Sequence, residues 1–358
     1  MNGRPADLAP VDLPAGPGAR RGPALQLEGL RVWYGTAEGR LVAVDGIDLT
    51  VGRGETVGLV GESGCGKSTL GRAVLRLLPE GAGSEGAVVV GGRDVMALAP
   101  EEVRRLRGED VSLIFQEPMT RLDPLMRVRD HFVELIRAHR PKTTRREAHR
   151  MTAEVLAAMG IPPHRSTQYP HQFSGGMRQR IMIALGIVLR PRLVVADEPT
   201  TALDVLVEAQ ILEILRDLAA ADDIAVLLIT HNLGIVAEVC DRVAVMYAGK
   251  IVEVGPVEEV FRRPRHPYTQ GLLASVIHLG STTLSSVAGA PPDLARPPSG
   301  CRFHPRCPHA MQVCPAREPP RVVAAGAGGT EVACWLHGPD ELVPAGGHEA
   351  LDGAGAGG

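Results

Sequence analysis

The sequence predicts an α/β protein, and three features of the 358-residue chain lead to this class. A glycine-rich loop, GESGCGKST (61–69), follows a strand-like run and precedes the helical run STLGRAVLRLL. Two short apolar runs, LVVAD (193–197) and IAVLLIT (224–230), have the composition of buried parallel strands, and the helical run VLVEAQILEILRDLAA separates them. This β–α–β order with a phosphate loop predicts a three-layer P-loop core of the RecA-like kind.

Further elements surround this core. Short strand-like runs in residues 25–60, with ETVGLVG as the last, predict a small and mostly antiparallel β subdomain. Residues 87–98 have the pattern of another short hairpin, and VAVMYAGKIVEVG closes as a hairpin near residue 255. Residues 100–190 carry helical periodicity, broken at Pro162 and Pro163, and therefore predict an inserted α-helical subdomain.

Composition changes toward both ends of the chain. Residues 1–24 and 338–358 are rich in glycine and proline and have little to bury, which predicts disordered tails. From His266 onward the proline density rises and a cysteine cluster appears, so we place a boundary there. The predicted division is a nucleotide-binding domain at 25–265 and a Cys-rich C-terminal extension at 266–337.

The overall composition favours a soluble globular protein, with 44% apolar and 22% charged residues. A net charge of −3 gives no electrostatic reason to expect a nucleic-acid partner. The longest apolar stretches, such as IMIALGIVL (181–189), are about half of the ~20 residues that span a bilayer. The N-terminus has no apolar secretory segment, so we expect the chain to stay in the cytoplasm.

The glycine-rich loop fits the pattern G-x-x-x-x-G-K-[ST] of a phosphate-binding loop. Glycines let backbone N–H groups curl around phosphate oxygens, and the start of the next helix adds a favourable dipole. The lysine is expected to reach the β- and γ-phosphates, and the serine hydroxyl after it to bind Mg²⁺. The predicted nucleotide-binding residues of the loop are Gly61, Ser63, Gly64, Cys65, Gly66, Lys67, Ser68 and Thr69.

Two acidic residues and a histidine follow the predicted parallel strands. Asp197 ends LVVAD, where its carboxylate can hold the Mg²⁺ shell directly or through water. Glu198 comes next and is positioned to polarise a water that attacks the γ-phosphate, although a surface carboxylate would look the same in sequence. His231 ends IAVLLITH and can contact the γ-phosphate and orient that water, although a histidine at a strand end is often structural. We predict Glu198 and His231 to be catalytic.

Cys65 lies inside the phosphate loop. The helix start and the neighbouring Lys67 are expected to lower the pKa of its thiol, which would make it reactive. The alternative is a small residue that simply fits the loop. The first interpretation predicts that alkylation of Cys65 blocks ATP hydrolysis and that bound nucleotide protects the thiol.

A second glycine-rich turn, HQFSGGMRQR (171–180), raises the question of why one domain would need two phosphate cradles. FSGGMRQR resembles the signature of ABC-type ATPases, whose common form is LSGGQ. GESGCGKST, FQEP (115–118), LVVADEPTTALD (193–204) and LLITH (227–231) occur in the order of that family. The resemblance implies that two cassettes pack head to tail. Each ATP would then lie between the phosphate loop of one chain and the signature of the other.

The resemblance also assigns residues across this interface. Ser174, Gly175 and Gly176 would offer a hydroxyl and backbone N–H groups to the γ-phosphate held by a partner chain. Asp204 matches the residue that touches the opposite site across the dimer. Phe173 and Met177 depart from the Leu and Gln of the common signature, but neither change removes a phosphate donor.

Two more positions within one chain follow from the same resemblance. Tyr34 matches the aromatic residue that stacks on adenine, with Trp33 beside it as an alternative. Gln116 matches the residue that links Mg²⁺ and the attacking water to the helical subdomain.

Outside this core, IFQEPMTRLDPLMRV, RHPYTQGLLAS (265–275) and GAPPDLARPPSGCRFHPRCPHAMQVC (289–314) look like the ATPase subunits of dipeptide and oligopeptide importers. The Met-Arg form of the signature is similar to the first of two non-identical ATPase subunits. The resemblance implies a heterodimer with a second homologous ATPase subunit, or a homodimer, on the cytoplasmic face of the cell membrane. It further implies two transmembrane permease subunits and an extracytoplasmic solute-binding protein.

The cargo of such an importer stays open at this point. Arg121 and Asp123 depart from the MTSLNP-like stretch where the permease is expected to dock, and related importers carry nickel, sugars or other small solutes. A soluble ABC ATPase of translation or repair is a weaker alternative, because the chain has one cassette and no sustained heptads. An export ATPase is disfavoured by the importer-like C-terminal residues.

Four of the six cysteines lie in this C-terminal region, at Cys301, Cys307, Cys314 and Cys334. A cytosolic chain is not expected to keep them as disulfides, and thiolates suit a soft-metal site. The spacing differs from the paired CxxC motifs of ordinary zinc ribbons. By resemblance to the importer family we expect a [4Fe–4S] cluster, with Zn²⁺ or metal-free thiols as alternatives.

Overall fold

A computed structural model describes residues 22–37, 39–115, 122–199, 223–275, 287–324 and 328–339, together with Glu208 and Arg216. The strands of this part of the chain are β1 (Leu25–Thr36), β2 (Gly39–Val51), β3 (Thr56–Val60), β4 (Ala82–Val90), β5 (Arg93–Asp94), β6 (Val111–Ile114), β7 (Leu193–Asp197), β8 (Ala225–Ile229), β9 (Arg242–Tyr247), β10 (Lys250–Pro256), β11 (Arg321–Val323) and β12 (Glu331–Ala333). They form two sheets.

The smaller sheet is antiparallel, with the strand order β2-β1-β4-β5. Strands β1 and β2 pair from Leu25 opposite Val51 to Thr36 opposite Gly39. The hairpin predicted in residues 87–98 is confirmed, because β4 and β5 pair there. One face of this sheet buries aliphatic side chains such as Leu27, Leu30 and Val32 in the largest apolar core of the protein.

The larger sheet has the strand order β11-β12-β10-β9-β3-β8-β7-β6. Strands β9, β3, β8, β7 and β6 are parallel to their neighbours, and β10, β12 and β11 continue the sheet antiparallel. Every residue of β3, β7 and β8 is buried, as their continuous apolar runs predict. The carboxyl ends of these three neighbouring strands meet at one edge of the sheet, and the predicted site residues follow them.

Two expectations about these strands were wrong. ETVGLVG does not belong to the small antiparallel sheet, because β3 lies between β9 and β8 in the large one. A strand buried on both faces needs such a central place, and neighbouring turns in sequence do not reveal it. The helical assignment of residues 100–190 also missed β6, a four-residue strand paired in parallel with β7. So short a strand is masked by the helical periodicity on either side.

The helices of the described residues are α1 (Lys67–Val74), α2 (Pro100–Glu109), α3 (Val128–His139), α4 (Arg145–Ala158), α5 (Gly175–Ile187), α6 (Leu233–Val239), α7 (Val257–Arg262), α8 (Pro267–Ala274) and α9 (Val313–Ala316). Helices α3, α4 and α5 share an apolar core with β7 and β8 that includes Phe132, Leu156 and Ile181. The Thr144 side chain caps α4 by accepting a hydrogen bond from the Glu147 N–H at 3.2 Å. The predicted helix VLVEAQILEILRDLAA falls outside the described residues, apart from Glu208 and Arg216.

The C-terminal residues pack directly on the large sheet. Strand β12 pairs with β10, and the aromatic rings of Tyr247, Tyr268 and Phe303 meet with centroid separations between 4.6 and 5.4 Å. Glu253 is fully buried in β10 and accepts hydrogen bonds from the N–H groups of Arg265 and His266. Residues on either side of His266 therefore share one apolar core. None of the described helices has the length and apolar composition needed to cross a membrane.

Candidate functional site

The glycine-rich loop connects β3 to α1, as the sequence predicts. At two positions of the loop only glycine fits, because a carbonyl group of another strand lies where a Cβ atom would be. A Cβ atom at Gly61 would lie 2.1 Å from the Met246 carbonyl oxygen, and one at Gly66 would lie 2.1 Å from the Ala43 carbonyl oxygen. Gly66 also has a φ of 107°, a backbone conformation that residues other than glycine rarely adopt. The loop is thus wrapped tightly between β2 and β9, and its N–H groups form a concave turn at the start of α1.

The Lys67 side chain is buried inside this turn, with a residue exposure of 5%. Its ammonium group donates to the Gly61 carbonyl at 2.7 Å and to the Glu62 carbonyl at 2.9 Å. These bonds hold a positive charge at the centre of the loop, where it complements the anionic phosphates of a nucleotide.

Ser68 and Asp197 meet across the edge of the sheet. The Ser68 hydroxyl donates to the Asp197 carboxylate at 2.9 Å. Burial raises the pKa of Asp197, and the hydrogen bond from Ser68 opposes that shift. A hydroxyl and a carboxylate are hard oxygen ligands of the type that Mg²⁺ takes together with phosphate oxygens. Both predicted Mg²⁺ ligands within the described residues therefore lie side by side at the loop.

Glu198 and His231 also come together. Glu198 directly follows β7, and its backbone N–H donates to the Ile229 carbonyl at 2.8 Å. It adopts a φ of 47°, which turns the chain sharply after the strand. His231 follows the neighbouring strand β8, and its Nδ1 lies 3.2 Å from the Glu198 carboxylate. The two residues predicted to be catalytic therefore lie within hydrogen-bond distance of each other.

A cavity of about 770 Å³ joins these groups. Its lining includes the loop from Glu62 to Thr69, together with Glu198 and His231. Tyr34 also lines the cavity, and its hydroxyl lies 3.1 Å from the Thr69 hydroxyl. Trp33 does not line the cavity. Its ring packs against Gly83 of β4, so closely that a Cβ atom at Gly83 would lie 2.3 Å from the ring. Of the two aromatic candidates, only Tyr34 faces the cavity.

The expectation that Cys65 has a lowered thiol pKa was wrong. Burial raises its pKa, and this effect outweighs the opposing influence of Lys67, whose ammonium lies 3.7 Å from the sulfur. The side chain is only 5% exposed because it packs in the main apolar core behind the loop. The alternative of a small residue that fits the loop describes Cys65 better, and its thiol is not poised as a nucleophile.

The second glycine-rich turn forms the start of α5. The Ser174 hydroxyl caps this helix by accepting from the Met177 N–H at 3.4 Å, and Gly175 and Gly176 begin its first turn. Ser174 and Gly175 are exposed, Gly176 is half-buried, and none of the three lines the cavity of its own phosphate loop. The start of α5 is therefore accessible and lies apart from the cavity of the chain's own phosphate loop.

Two predicted site residues fall outside the described residues. Gln116, the predicted link between Mg²⁺ and the helical segment, lies in the interval 116–121, and Asp204 lies in 200–207. Arg121 of the expected permease-docking stretch lies in the first of these intervals as well.

The structure also places at the nucleotide site residues that the sequence analysis did not assign to it. Part of the importer-like stretch 289–314 lines the same cavity as the phosphate loop, namely Pro291, Pro292, Asp293 and Leu294. Arg306 forms an ion pair with Glu62 of the loop, at 2.8 Å. The spacing of these residues carries no local signal, because their proximity arises only from the fold of the C-terminal region.

The four late cysteines lie near one another. The Cys301 N–H donates to the Cys314 carbonyl at 2.7 Å, and burial raises the pKa of both Cys301 and Cys334 to about 12. Cys301, Cys307 and Cys314 each raise the pKa of Cys334 further by charge repulsion. The Cys314 sulfur accepts the Met311 N–H at 3.4 Å. Among the described residues, no three His, Cys, Asp or Glu side chains are grouped closely enough to hold a single metal ion.

Comparison with known protein families agrees with this geometry. The sequence pattern of the family described as "ABC transporter" matches residues 44–201. The pattern described as "Oligopeptide/dipeptide transporter, C-terminal region" matches residues 252–314. The first match covers the phosphate loop, the signature and Glu198. The second covers most of β10 and three of the four clustered cysteines.

Individual relatives align over most of the chain. The dipeptide transport ATP-binding protein DppD of Bacillus subtilis is 44% identical over 318 residues, which cover 87% of this chain and 94% of DppD. The oligopeptide transport ATP-binding protein OppD of Salmonella typhimurium is 45% identical over 294 residues, which cover 81% of this chain and 88% of OppD.

Solved structures share the fold of the cassette. CbiO1 from Clostridium perfringens, described as part of the ABC transporter complex cbiONQ, superposes with a TM-score of 0.59 at 27% identity. The superposition covers 68% of this chain and 92% of CbiO1. A bacterial ABC transporter cassette solved as a dimer gives a TM-score of 0.58 at 26% identity, over 65% of this chain and 98% of that cassette. The chain thus belongs to the ABC transporter family of ATPases, in the group of ATP-binding proteins related to peptide importers.

Proposed function

We propose that this protein is the ATP-binding and ATP-hydrolysing subunit of an importer of dipeptides or oligopeptides. One observation carries the proposal: the phosphate loop and the Glu198–His231 pair share a cavity with the C-terminal region whose sequence pattern belongs to oligopeptide and dipeptide transporters. The names of the relatives DppD and OppD support the same cargo class.

Within this cavity different residues would bind different parts of the nucleotide. The loop amides and Lys67 would bind the phosphates, and the Tyr34 ring would stack on the adenine. Ser68 and Asp197 would hold Mg²⁺, which neutralises charge on the phosphates when bound. The oxygen donors present, 2.9 Å apart, fit such an ion.

Glu198 would act as the general base that orients and deprotonates the attacking water. His231 hydrogen-bonds to the carboxylate and would keep it directed toward the γ-phosphate. Glu198 has a φ of 47°, and its backbone N–H donates to the Ile229 carbonyl at the end of β8, so its backbone is held beside the strand that His231 follows.

The exposed start of α5 would complete the site of a partner chain. In this arrangement Ser174, Gly175 and Gly176 face the γ-phosphate bound to the loop of the other subunit, and ATP holds the two chains together. Hydrolysis removes the charge that bridges them, so the closed dimer opens. The partner would be a second, homologous ATPase subunit or a second copy of this chain.

We further propose that the dimer works on two transmembrane permease subunits at the cytoplasmic face of the membrane, supplied by an extracytoplasmic solute-binding protein. The test is reconstitution of the chain with its permease, partner ATPase and binding protein in liposomes. We expect ATP hydrolysis to rise when peptide-loaded binding protein is added, and labelled peptide to accumulate on the opposite side from the binding protein. Stimulation by nickel or a sugar instead of peptide would contradict the cargo assignment.

The four cysteines are proposed to hold a [4Fe–4S] cluster that ties the C-terminal loops together. All four donors are thiols, and the Cys314 sulfur accepts the Met311 N–H at 3.4 Å, a bond of the kind that stabilises thiolate ligands. Zinc fits less well, because Zn–S distances of about 2.3 Å need all four sulfurs to converge on one ion. When bound, the cluster would supply cross-links that a short, proline-rich segment lacks.

This site is tested by purification without oxygen, followed by iron, sulfide and zinc analysis and a visible spectrum. We expect a brown protein that contains iron and sulfide and bleaches in air. Cys334→Ser should lower the iron content, whereas Cys240→Ser, which changes a thiol outside the cluster, should not. A colourless protein without iron would overturn the assignment, and stoichiometric zinc would favour the alternative.

A further inference from the structure

We propose that the C-terminal region forms one wall of the ATP cavity, that this wall receives the base and ribose, and that Arg306 positions it against the phosphate loop. The inference rests on the proposed ATP site and names a contact for its nucleoside end. The wall consists of Pro291, Pro292, Asp293 and Leu294, which we call the PPDL wall; all four line the cavity that contains the phosphate loop.

The chemistry of the PPDL wall selects the part of the nucleotide it can face. Two prolines and a leucine are apolar, and the only charged group of the wall is the carboxylate of Asp293. A triphosphate would be repelled by that carboxylate, whereas a base and a ribose offer apolar faces and hydrogen-bond donors. Tyr34, Leu41 and Ala43, which also line the cavity, are uncharged residues. The nucleoside end therefore matches the wall, and the phosphates match the loop around Lys67.

Arg306 connects the loop to the residues that precede the wall. Its two terminal nitrogens bind the two oxygens of the Glu62 carboxylate at 2.8 and 3.0 Å. The same guanidinium donates to the carbonyls of Ala288 at 2.8 Å and Val287 at 3.1 Å, just before the wall. A further bond reaches the Tyr247 hydroxyl at 3.3 Å. The Arg306 guanidinium thus binds both Glu62, the second residue of the loop, and the backbone just before the wall.

The environment of this link makes it rigid. The Arg306 side chain is 6% exposed and the Glu62 side chain 23%, so the bidentate pair is largely shielded from water. The Glu62 backbone N–H donates to the hydroxyl of Tyr268 at 2.9 Å, which is a second contact from the C-terminal residues. Lysine cannot form the same bidentate pair with Glu62, because its ammonium group lacks the planar arrangement of two parallel N–H donors. Arg306 is therefore a positioning residue for the nucleotide site.

The experiment compares binding of two ligands, ATP and inorganic tripolyphosphate, by titration calorimetry on the full chain with Mg²⁺. Leu294→Ala removes part of the wall and leaves the loop intact. We expect it to weaken ATP binding about fivefold to tenfold and to leave tripolyphosphate binding unchanged, because tripolyphosphate has no nucleoside. Arg306→Lys should weaken ATP binding about tenfold or more while circular dichroism and the melting temperature show a folded protein.

Arg321→Met is the matched control. Arg321 is a C-terminal arginine that pairs with Glu331 and does not line the cavity, so both affinities should stay within about twofold of wild type. Equal losses for ATP and tripolyphosphate in Leu294→Ala, or no loss of ATP affinity, would overturn the proposed wall. The outcome is separable from failure of the ATP site itself, because Lys67→Ala should abolish binding of both ligands; if it does not, the proposed phosphate site is wrong.

Discussion

The guanidinium of Arg165 lies over the ring of Phe173, with 4.5 Å between its central carbon and the ring centroid. The same guanidinium lies 3.3 Å from the Met177 sulfur and donates to the Gln172 carbonyl at 3.2 Å. Phe173 and Met177 are the two positions at which the signature departs from the common Leu and Gln. One arginine thus contacts both unusual residues and holds the turn that precedes Ser174.

We predict that Arg165→Met lowers ATP hydrolysis by the assembled dimer about tenfold and leaves ATP binding by the isolated chain unchanged. The cation–π contact and hydrogen bonds fix a turn that serves the partner's site, not its own cavity. Steady-state hydrolysis by the complex and calorimetry on the single chain measure the two effects. Arg150→Met, on an exposed face of α4, is the control. A loss of ATP affinity in the isolated chain would contradict the proposal that this turn serves the ATP site of the partner chain.

Glu198→Gln should bind ATP with nearly normal affinity and hydrolyse it at least about 100-fold more slowly, because an amide cannot accept the water's proton. The variant should also accumulate a stable, ATP-bound dimer, which size-exclusion chromatography with ATP can detect. Glu258→Gln changes an exposed carboxylate of α7 and should leave turnover intact. Near-normal hydrolysis by Glu198→Gln would show that the base has been misassigned.

The raised pKa and burial of Cys65 lead to a prediction about its reactivity. At neutral pH we expect iodoacetamide to label Cys65 in the folded chain only slowly, because both the thiolate fraction and access are low. After denaturation all six cysteines should be labelled. Peptide mass spectrometry at successive times measures both rates. Rapid labelling of native Cys65 that ATP prevents would restore the interpretation of an exposed, activated thiol.

His266 should make the protein less stable at acidic pH. Burial lowers its pKa to about 3, with a further contribution from nearby His337, against about 6.5 in the unfolded chain. The unfolded state therefore binds more protons, so this contribution is fully present above about pH 6.5 and is lost as the pH falls toward 3.

The change His266→Asn tests this contribution. The His266 Nδ1 accepts from the Tyr268 N–H at 3.0 Å, and asparagine can cap α8 in the same way without titrating. Between pH 7.5 and 5.5, the free energy of unfolding of wild type should fall by about 1.4 kcal/mol more than that of the variant. The buried Glu253 is present in both proteins, so its own titration cancels in the comparison. Equal pH dependence would show that His266 is already neutral in both states or charged in both.

Much of the nucleotide site could be predicted from the sequence. The loop GESGCGKST, the strand ends that carry Asp197, Glu198 and His231, and the helix start at Ser174 are local patterns, each set by glycine conformation, strand burial or capping within a few residues. That the signature serves a nucleotide other than the one in the chain's own loop was implied by the resemblance to ABC-type ATPases.

Features that depend on contacts between residues far apart in sequence could be seen only in the tertiary structure. Packing against other elements determines the place of β3 in the large sheet and the burial that raises the pKa of Cys65. It also determines that Tyr34, and not Trp33, lines the cavity. The clearest case is Arg306, 244 residues from Glu62 in sequence and bonded to it in space. A single sequence records which side chains can donate or accept, but only the folded chain brings a particular donor to a particular acceptor.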